Sequence, residues 1–242
     1  MEVMHSENVL LQPIFVNNTL NNDKSNQNSD GADTLSSDNI TFRRWFVDNG
    51  DDSISTKQNS SNIFIEDSIF KRDLGVALGS TGQYPGEYEY IDGVYAKNIT
   101  CINSAQAGYI KTWTGEQKGT PPNGGGGGTG VVQNIKFENF TFQNSKYIFA
   151  IGQCTTYSFN FGDCDSSTMA ISNFSVGPLN GTSAFEPTNV RLQCSRARPC
   201  PRIEVRDLDL TWDGNAAMSF FNCSNVVDPV GFTCNQTSPS GF

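Results

Sequence analysis

Histidine is nearly missing from this chain: His5 is the one copy in 242 residues, and it stands at the extreme start, away from every motif. That scarcity excludes most histidine-based metal sites and every Ser-His-Asp or Cys-His scheme not built on this ring. Charge is sparse as well, at 17% of residues, with 16 Lys+Arg against 25 Asp+Glu and a net charge of −9. An acidic chain without a basic tract is a poor nucleic-acid binder. No apolar run approaches ~18 residues, which excludes a transmembrane helix and leaves no reason to expect a membrane partner. CxxC does not occur, so a zinc site is not expected, and the expected metal and cofactor content is none. No stretch keeps an i, i+3, i+4, i+7 apolar pattern over three turns, which excludes helical repeats. Met1 to Leu11 has neither a basic start nor an apolar stretch of about 7–15 residues, so it is not a signal peptide.

Glycine (23), asparagine (25) and phenylalanine (17, against 10 leucines) are abundant instead, a balance that favours strands and turns. The length allows one core, so residues 1–242 read as one domain with 226–242 as a tail. Short β-rich phrases return along it: Glu7–Leu11, Asp38–Phe42, Ser61–Ile65, Asp92–Tyr95, Gln133–Phe137, Thr168–Ile171 and Pro201–Val205. Their second positions fall at 8, 39, 62, 93, 134, 169 and 202, at intervals of 31, 23, 31, 41, 35 and 33. Irregular periods of about 20–50 residues without helical spacing predict an all-β parallel β-helix, in which equivalent strands of successive coils pair at ~4.8 Å. A Greek-key sandwich also has many short strands but need not restart with the same phrase.

Nine Asn-x-Ser/Thr sequons (Asn17, Asn39, Asn59, Asn98, Asn139, Asn173, Asn180, Asn222 and Asn235) exceed the roughly 4 to 5 expected by chance. They mark a secretory glycoprotein or, more plainly, the return of Asn-Ile-Thr at strand starts. Six of seven cysteines form close pairs, Cys154/Cys164, Cys194/Cys200 and Cys223/Cys234, each able to close a small disulfide loop; Cys101 is left over.

Stacked coils align short polar groups into ladders, so carboxylates one coil apart carry particular interest. Asn28-Ser29-Asp30 precedes Asn49-Gly50-Asp51-Asp52 by 21 residues, about one short coil, and Asn49-Gly50 can supply a turn that aims both following carboxylates outward. Like-charge crowding raises at least one carboxylate pKa, so one group stays protonated as an acid while another acts as a base. Inverting glycosidases use that division, with the two carboxyls about 6.5–9.5 Å apart. A solvated Asp-rich turn or a calcium site is the plainer alternative.

These residues resemble glycoside hydrolase family 28, the polygalacturonases and rhamnogalacturonases. Asn28-Ser29-Asp30 resembles the family's Asn-Thr-Asp, Gly50-Asp51-Asp52 its Gly-Asp-Asp, Gly75–Ser80 the stretch after its Gly-His-Gly, and Tyr109-Ile110-Lys111 its Arg-Ile-Lys. Order and spacing agree over roughly residues 7–225. The phrases Gly108–Trp113 and Pro121–Gly128 resemble a fungal, exo-acting branch. The resemblance implies a single-stranded right-handed parallel β-helix of the pectin-lyase-like kind and inverting hydrolysis of pectin. Asp51 would be the general acid, Asp30 and Asp52 would activate water, and Lys111 would bind a substrate carboxylate. Tyr109 and Trp113 are candidates for stacking on a sugar, Trp113 equally for packing between coils. It also implies a secreted monomer acting on a pectic polysaccharide or oligosaccharide.

Two departures stand out: Leu74 (or Asp73, if the alignment slips by one) replaces the family's histidine, and Tyr109 its arginine. Both weaken an endo-polygalacturonase reading and favour rhamnogalacturonan-directed or exo-acting branches. Rivals are a silent β-helix that binds pectin, and a calcium-assisted lyase, which would need an arginine base that Arg43 and Arg44 are badly placed to provide. Gly124–Gly128 lacks a following Lys-Ser/Thr and reads as a flexible loop, and Ser195–Arg198 as a solvated turn. The chain opens inside a coil, so it reads as the later, truncated part of a longer solenoid with an open strand edge and poor solubility.

Overall fold

In the recurring phrases, apolar and polar residues alternate with the period of a strand, so every second side chain can turn to one side. The computed structural model, which describes residues 1–19, 26–157 and 162–235, winds these strands into a parallel β-helix. One sheet stacks eight strands in parallel: Glu2–Met4, Ala32–Leu35, Ile54–Thr56, Val76–Thr81, Gln106–Trp113, Tyr147–Thr155, Thr188–Gln193 and Ser219–Ser224. The second, twelve-stranded sheet has as its spine Glu7–Leu11, Asp38–Arg43, Ser60–Lys71, Tyr88–Ile102, Thr129–Ser145, Leu179–Ser183 and Leu208–Trp212. A short hairpin, Leu208–Trp212 with Asn215–Ala216, is the antiparallel strand pair among the described residues. No described helix is long and apolar enough to cross a membrane.

The core is a set of columns. Ile40, Ile63, Val94, Ile135, Phe174 and Ile203 occupy one register position in successive coils, and all are buried. Phe42, Ile65, Ala96, Phe137, Val176 and Val205 occupy the next inward one. Each fully buried large side chain contributes about 1.5–3 kcal/mol, and a coil gains this only by lying on its neighbours.

Between the columns the chain bends at left-handed residues. Asn8, Asn39, Asn62, Asn134, Asn173 and Arg202 all have φ between 52° and 60°, with Gly93 completing the row. Asparagine tolerates this conformation better than other residues with a Cβ, and its amide adds a bond along the stack. Asn39 Nδ2 donates to Asn8 Oδ1 at 2.7 Å, and Asn173 Nδ2 donates to Asn134. A parallel row runs from Asp67 through Asn98 to Asn139, at 2.8 and 2.7 Å. Four sequon asparagines, 39, 98, 139 and 173, are therefore ladder residues. The row also corrects one repeat position: the equivalent of Asn134 is Asn173 and not Met169, which pairs with Gly130.

The glycine run is a second correction. Gly124–Gly126 and Gly128 are buried, and the segment is pinned by Gly125 N to Lys118 O, Gly126 N to Gln83 O and Gly128 N to Gly82 O. A Cβ on Gly126 would lie 2.4 Å from Glu116 O, so the run allows close backbone approach. The three expected disulfides are present, and Cys101 is free and buried. Cys223–Cys234 ties the described part of the tail to the last coil, where Phe221 stacks on Phe232. In the Ser195–Arg198 turn, Ser195 is buried and residues 196–198 are exposed, with Arg196 paired to Asp165 at 2.8 Å.

Candidate active site

Three successive coils cross one turn at the edge of the eight-stranded sheet, and backbone bonds lock them together. Gly31 N donates to Asp52 O, Leu74 N to Asp51 O and Ser53 N to Gly75 O, each at 3.0 Å. The Asn49 amide donates to Ser29 O at 3.0 Å and Asp52 O at 2.9 Å, so the Asn49-Gly50 turn is shaped by the coil before it. In this turn Asp51 and Asp52 do not alternate to opposite faces. An oxygen from each of Asp30, Asp51 and Asp52 lies within 4.8 Å of the other two. That is close enough for a hard cation to be held between them.

Each carboxylate has its own partners. Asp51 accepts Asn28 N at 2.7 Å and Asp52 N at 3.0 Å. Asp52, buried, accepts the Tyr109 hydroxyl at 2.5 Å, and Lys111 Nζ stands 3.5 Å from its other oxygen. Lys111 also donates to Tyr109 Oη at 3.0 Å. Tyr109 and Lys111 belong to one strand and pair in register with Ala77 and Gly79, whose small size leaves room for both side chains to reach back to Asp52. A Cβ on Gly79 would sit 2.2 Å from Lys111 O.

Electrostatics separates the three acids. Burial, reinforced by Asp33 and Asp51 and opposed by Lys57, raises Asp30 to about 6. Burial also raises Asp52, against the pull of Lys111 and the Tyr109 hydroxyl. Burial and the neighbouring Asp52 push the Tyr109 phenol far up, so it stays a donor. Burial thus raises two of the three, Asp30 and Asp52, so the cluster can hold a proton up to about pH 6, which acid and base chemistry can draw on.

The structure brings together Asp30, Asp51, Asp52, Tyr109 and Lys111, but not Trp113. Register shifts after Lys111 end the alternation of this strand. The indole is fully buried against the edge of Tyr157, 4.7 Å away, so it offers no face to a sugar. Among the described residues, an exposed aromatic there is Tyr157, whose hydroxyl meets Ser80 Oγ at 2.8 Å.

Sequence reasoning also missed Lys57, 3.7 Å from Asp30 and 3.4 Å from Asp33. Burial favours its neutral form but is outweighed by Asp33, Asp52 and Asp30, which leave its pKa raised. Its signal was faint: Lys57 follows Thr56, the coil-equivalent of Thr34, so it stands beside the acidic tier once the register is known. Asp73 points inward and Leu74 outward, so it is Leu74 that stands beside Asp51 on the outer face. Asp73 is fully buried, accepts Ser53 Oγ at 2.6 Å and Gly75 N at 3.0 Å, and burial raises its pKa to about 6.

Known proteins resemble this chain along most of its length. The family profile of glycosyl hydrolases family 28 matches residues 1–234. An alpha-L-rhamnosidase of Aspergillus niger is 42% identical over 97% of this chain and 55% of its own length. An exopolygalacturonase of Cochliobolus carbonum is 31% identical over 83% of this chain and 45% of its own. Among solved structures, an endo-xylogalacturonan hydrolase from Aspergillus tubingensis superposes with a TM-score of 0.77 at 24% identity, covering 97% of this chain and 60% of that one. An exopolygalacturonase from Thermotoga maritima superposes at 0.60 with 16% identity, over 95% and 49%. These last two likenesses concern the fold alone. The chain spans about half the length of the curated relatives it matches. Matched along nearly its whole length, it belongs to glycosyl hydrolases family 28.

Proposed function

We propose that this chain carries the catalytic face of a pectin-directed glycosidase that hydrolyses α-glycosidic bonds of galacturonan or rhamnogalacturonan from a chain end, with inversion. The convergence of Asp30, Asp51 and Asp52 within 4.8 Å carries the reading. Asp51, which takes the acid's role from its place in the family motif, passes the proton held in the aspartate cluster to the leaving glycosidic oxygen as the anomeric C–O bond breaks. Water adds its oxygen to the anomeric carbon and gives its proton to Asp52 or Asp30. A positioned acid and base of this kind contribute about 10²–10⁴-fold each. Tyr109 and Lys111 face the substrate beside them. The exo mode draws on the relative named exopolygalacturonase, and an extracellular location on the three disulfides.

Proton NMR of the first product anomer checks the inversion. The reaction itself is tested by incubating the chain with homogalacturonan and rhamnogalacturonan oligomers. New reducing ends without the ultraviolet absorbance of an unsaturated product, lost in Asp51→Asn, are expected. Equal inactivity of both proteins on both substrates would reduce the chain to a binding β-helix.

A further inference from the structure

Resting on that reading, we propose that buried Asp73 is a positioning residue, which holds the Asp51-Asp52 dipeptide in its reactive setting from inside the coil. Its side chain points inward and the residue is 2% exposed, so it acts through Ser53 and not on the sugar. A carboxyl in such a place gives up its hydration, a cost that an aliphatic side chain would avoid. What the carboxyl supplies is one oxygen that accepts a donor from each of two coils. Ser53 Oγ donates to Asp73 Oδ2 at 2.6 Å, and Gly75 N donates to the same oxygen at 3.0 Å. Ser53 is fully buried as well, and burial makes the loss of such a bond expensive.

Together with the backbone these bonds close a bracket around the two carboxylates. Leu74 N donates to Asp51 O and Ser53 N to Gly75 O, each at 3.0 Å, so residues 73–75 grip the dipeptide at both ends. Two backbone bonds fix the ends of a short segment but let the peptide plane between Asp52 and Ser53 rock. A third bond, from the Ser53 side chain to Asp73, removes that freedom. The bracket is itself seated on the coil beyond: Ala105 N donates to Asp73 O at 2.8 Å, and a Cβ on Gly75 would lie 2.4 Å from Gln106 O. Rocking would carry the Asp52 carboxyl away from the Tyr109 hydroxyl, now 2.5 Å from it, and from the Lys111 ammonium at 3.5 Å. A misplacement of about 1 Å at a reacting group costs about 10²-fold in rate. Asp73 thus transmits the rigidity of the core to the alignment of acid and base.

The test compares the unsubstituted chain with Ser53→Ala, Asp73→Ala and Asp73→Asn on homogalacturonan and rhamnogalacturonan oligomers. Ser53→Ala, which deletes one buried oxygen, and Asp73→Ala are expected to lower kcat by about 10–100-fold with KM within about twofold. Asp73→Asn keeps a carbonyl oxygen for both donors, and is expected to recover about tenfold of the loss seen in Asp73→Ala. Calorimetric titration with the same oligomers counts binding sites per chain, expected unchanged, which separates a misaligned site from an unfolded fraction. Amide hydrogen exchange by NMR is expected to quicken about tenfold at Ser53 and Leu74 in Ser53→Ala, with the strand Thr129–Ser145 unaffected. An unchanged kcat in Ser53→Ala, a kcat loss matched by a loss of binding sites, or no recovery in Asp73→Asn overturns the proposal and leaves hydrolysis standing. If none of the chains releases sugar, hydrolysis falls and exchange alone decides the bracket: quickening confined to residues 51–53 and 73–75 supports it, and unchanged exchange overturns it.

Discussion

On the twelve-stranded sheet, Asn98 sits between Asp67 below and Asn139 above, giving an N–H to one and accepting an N–H from the other. On the eight-stranded sheet, Asp30, Asp51 and Asp52 are stacked by the same coil geometry, yet each needs unlike partners: Lys57, the Asn28 amide, Tyr109 and Lys111. A solenoid stacks whatever occupies equivalent positions. Amides are self-complementary, so stacking them satisfies both ends of the group. Carboxylates are not, so stacking them raises the cost of ionisation, and the fold retains them together with two lysines. One row keeps the coils in register; the other stores the chemistry.

The contrast can be broken at its acidic end first. Asp51→Asn turns an acid into an amide, and is expected to lower kcat by about 10²–10⁴-fold in a reducing-sugar assay with an unchanged far-ultraviolet spectrum. Next comes the pH dependence of stability. Folded Asp73 keeps its proton up to about pH 6 and the unfolded chain releases it near the ordinary value of 3.8, so the folded state holds more protons between these values. Stability therefore falls as pH rises from about 4 to about 6, by up to about 3 kcal/mol, and urea titrations should show Asp73→Asn flattening that slope. In the amide row, Asn98→Ala loses both ladder bonds and strains a left-handed position, at about 2 kcal/mol by urea denaturation; Asn98→Gly should recover about half. Smallest is the exposed pair of Lys97 and Glu138, 3.3 Å apart, where Lys97→Ala should change stability by less than about 0.5 kcal/mol.

The coils were legible because a period of inward Ile, Val and Phe survives any change in loop length. Asp30, Asp51 and Asp52 were legible because they sit in short turn phrases whose separation equals one coil. Lys57 was not, since its role depends on a register that differs from coil to coil and on a neighbour, Asp33, that looks like an ordinary strand residue. Trp113 was left open between a sugar and the packing of coils because a register shift after Lys111, which turns it inward, cannot be read from residue types. The glycine run was misread for a related reason: five glycines suit a loose loop and a tightly threaded one equally, and only the backbone around Gly126 tells them apart.

The uneven coil length has a further meaning. Stacked positions are separated by 23 residues at Arg43 and Glu66 and by 41 at Asn98 and Asn139, yet both pairs meet in the same way. Growth of a coil is thus taken up outside the spine, much as a thread can be lengthened between stitches without moving the seam. Lineages sharing this scaffold can reshape the walls around the aspartates by insertion and deletion while inheriting the aspartates themselves unmoved, so loops are where descent would be expected to write new preferences.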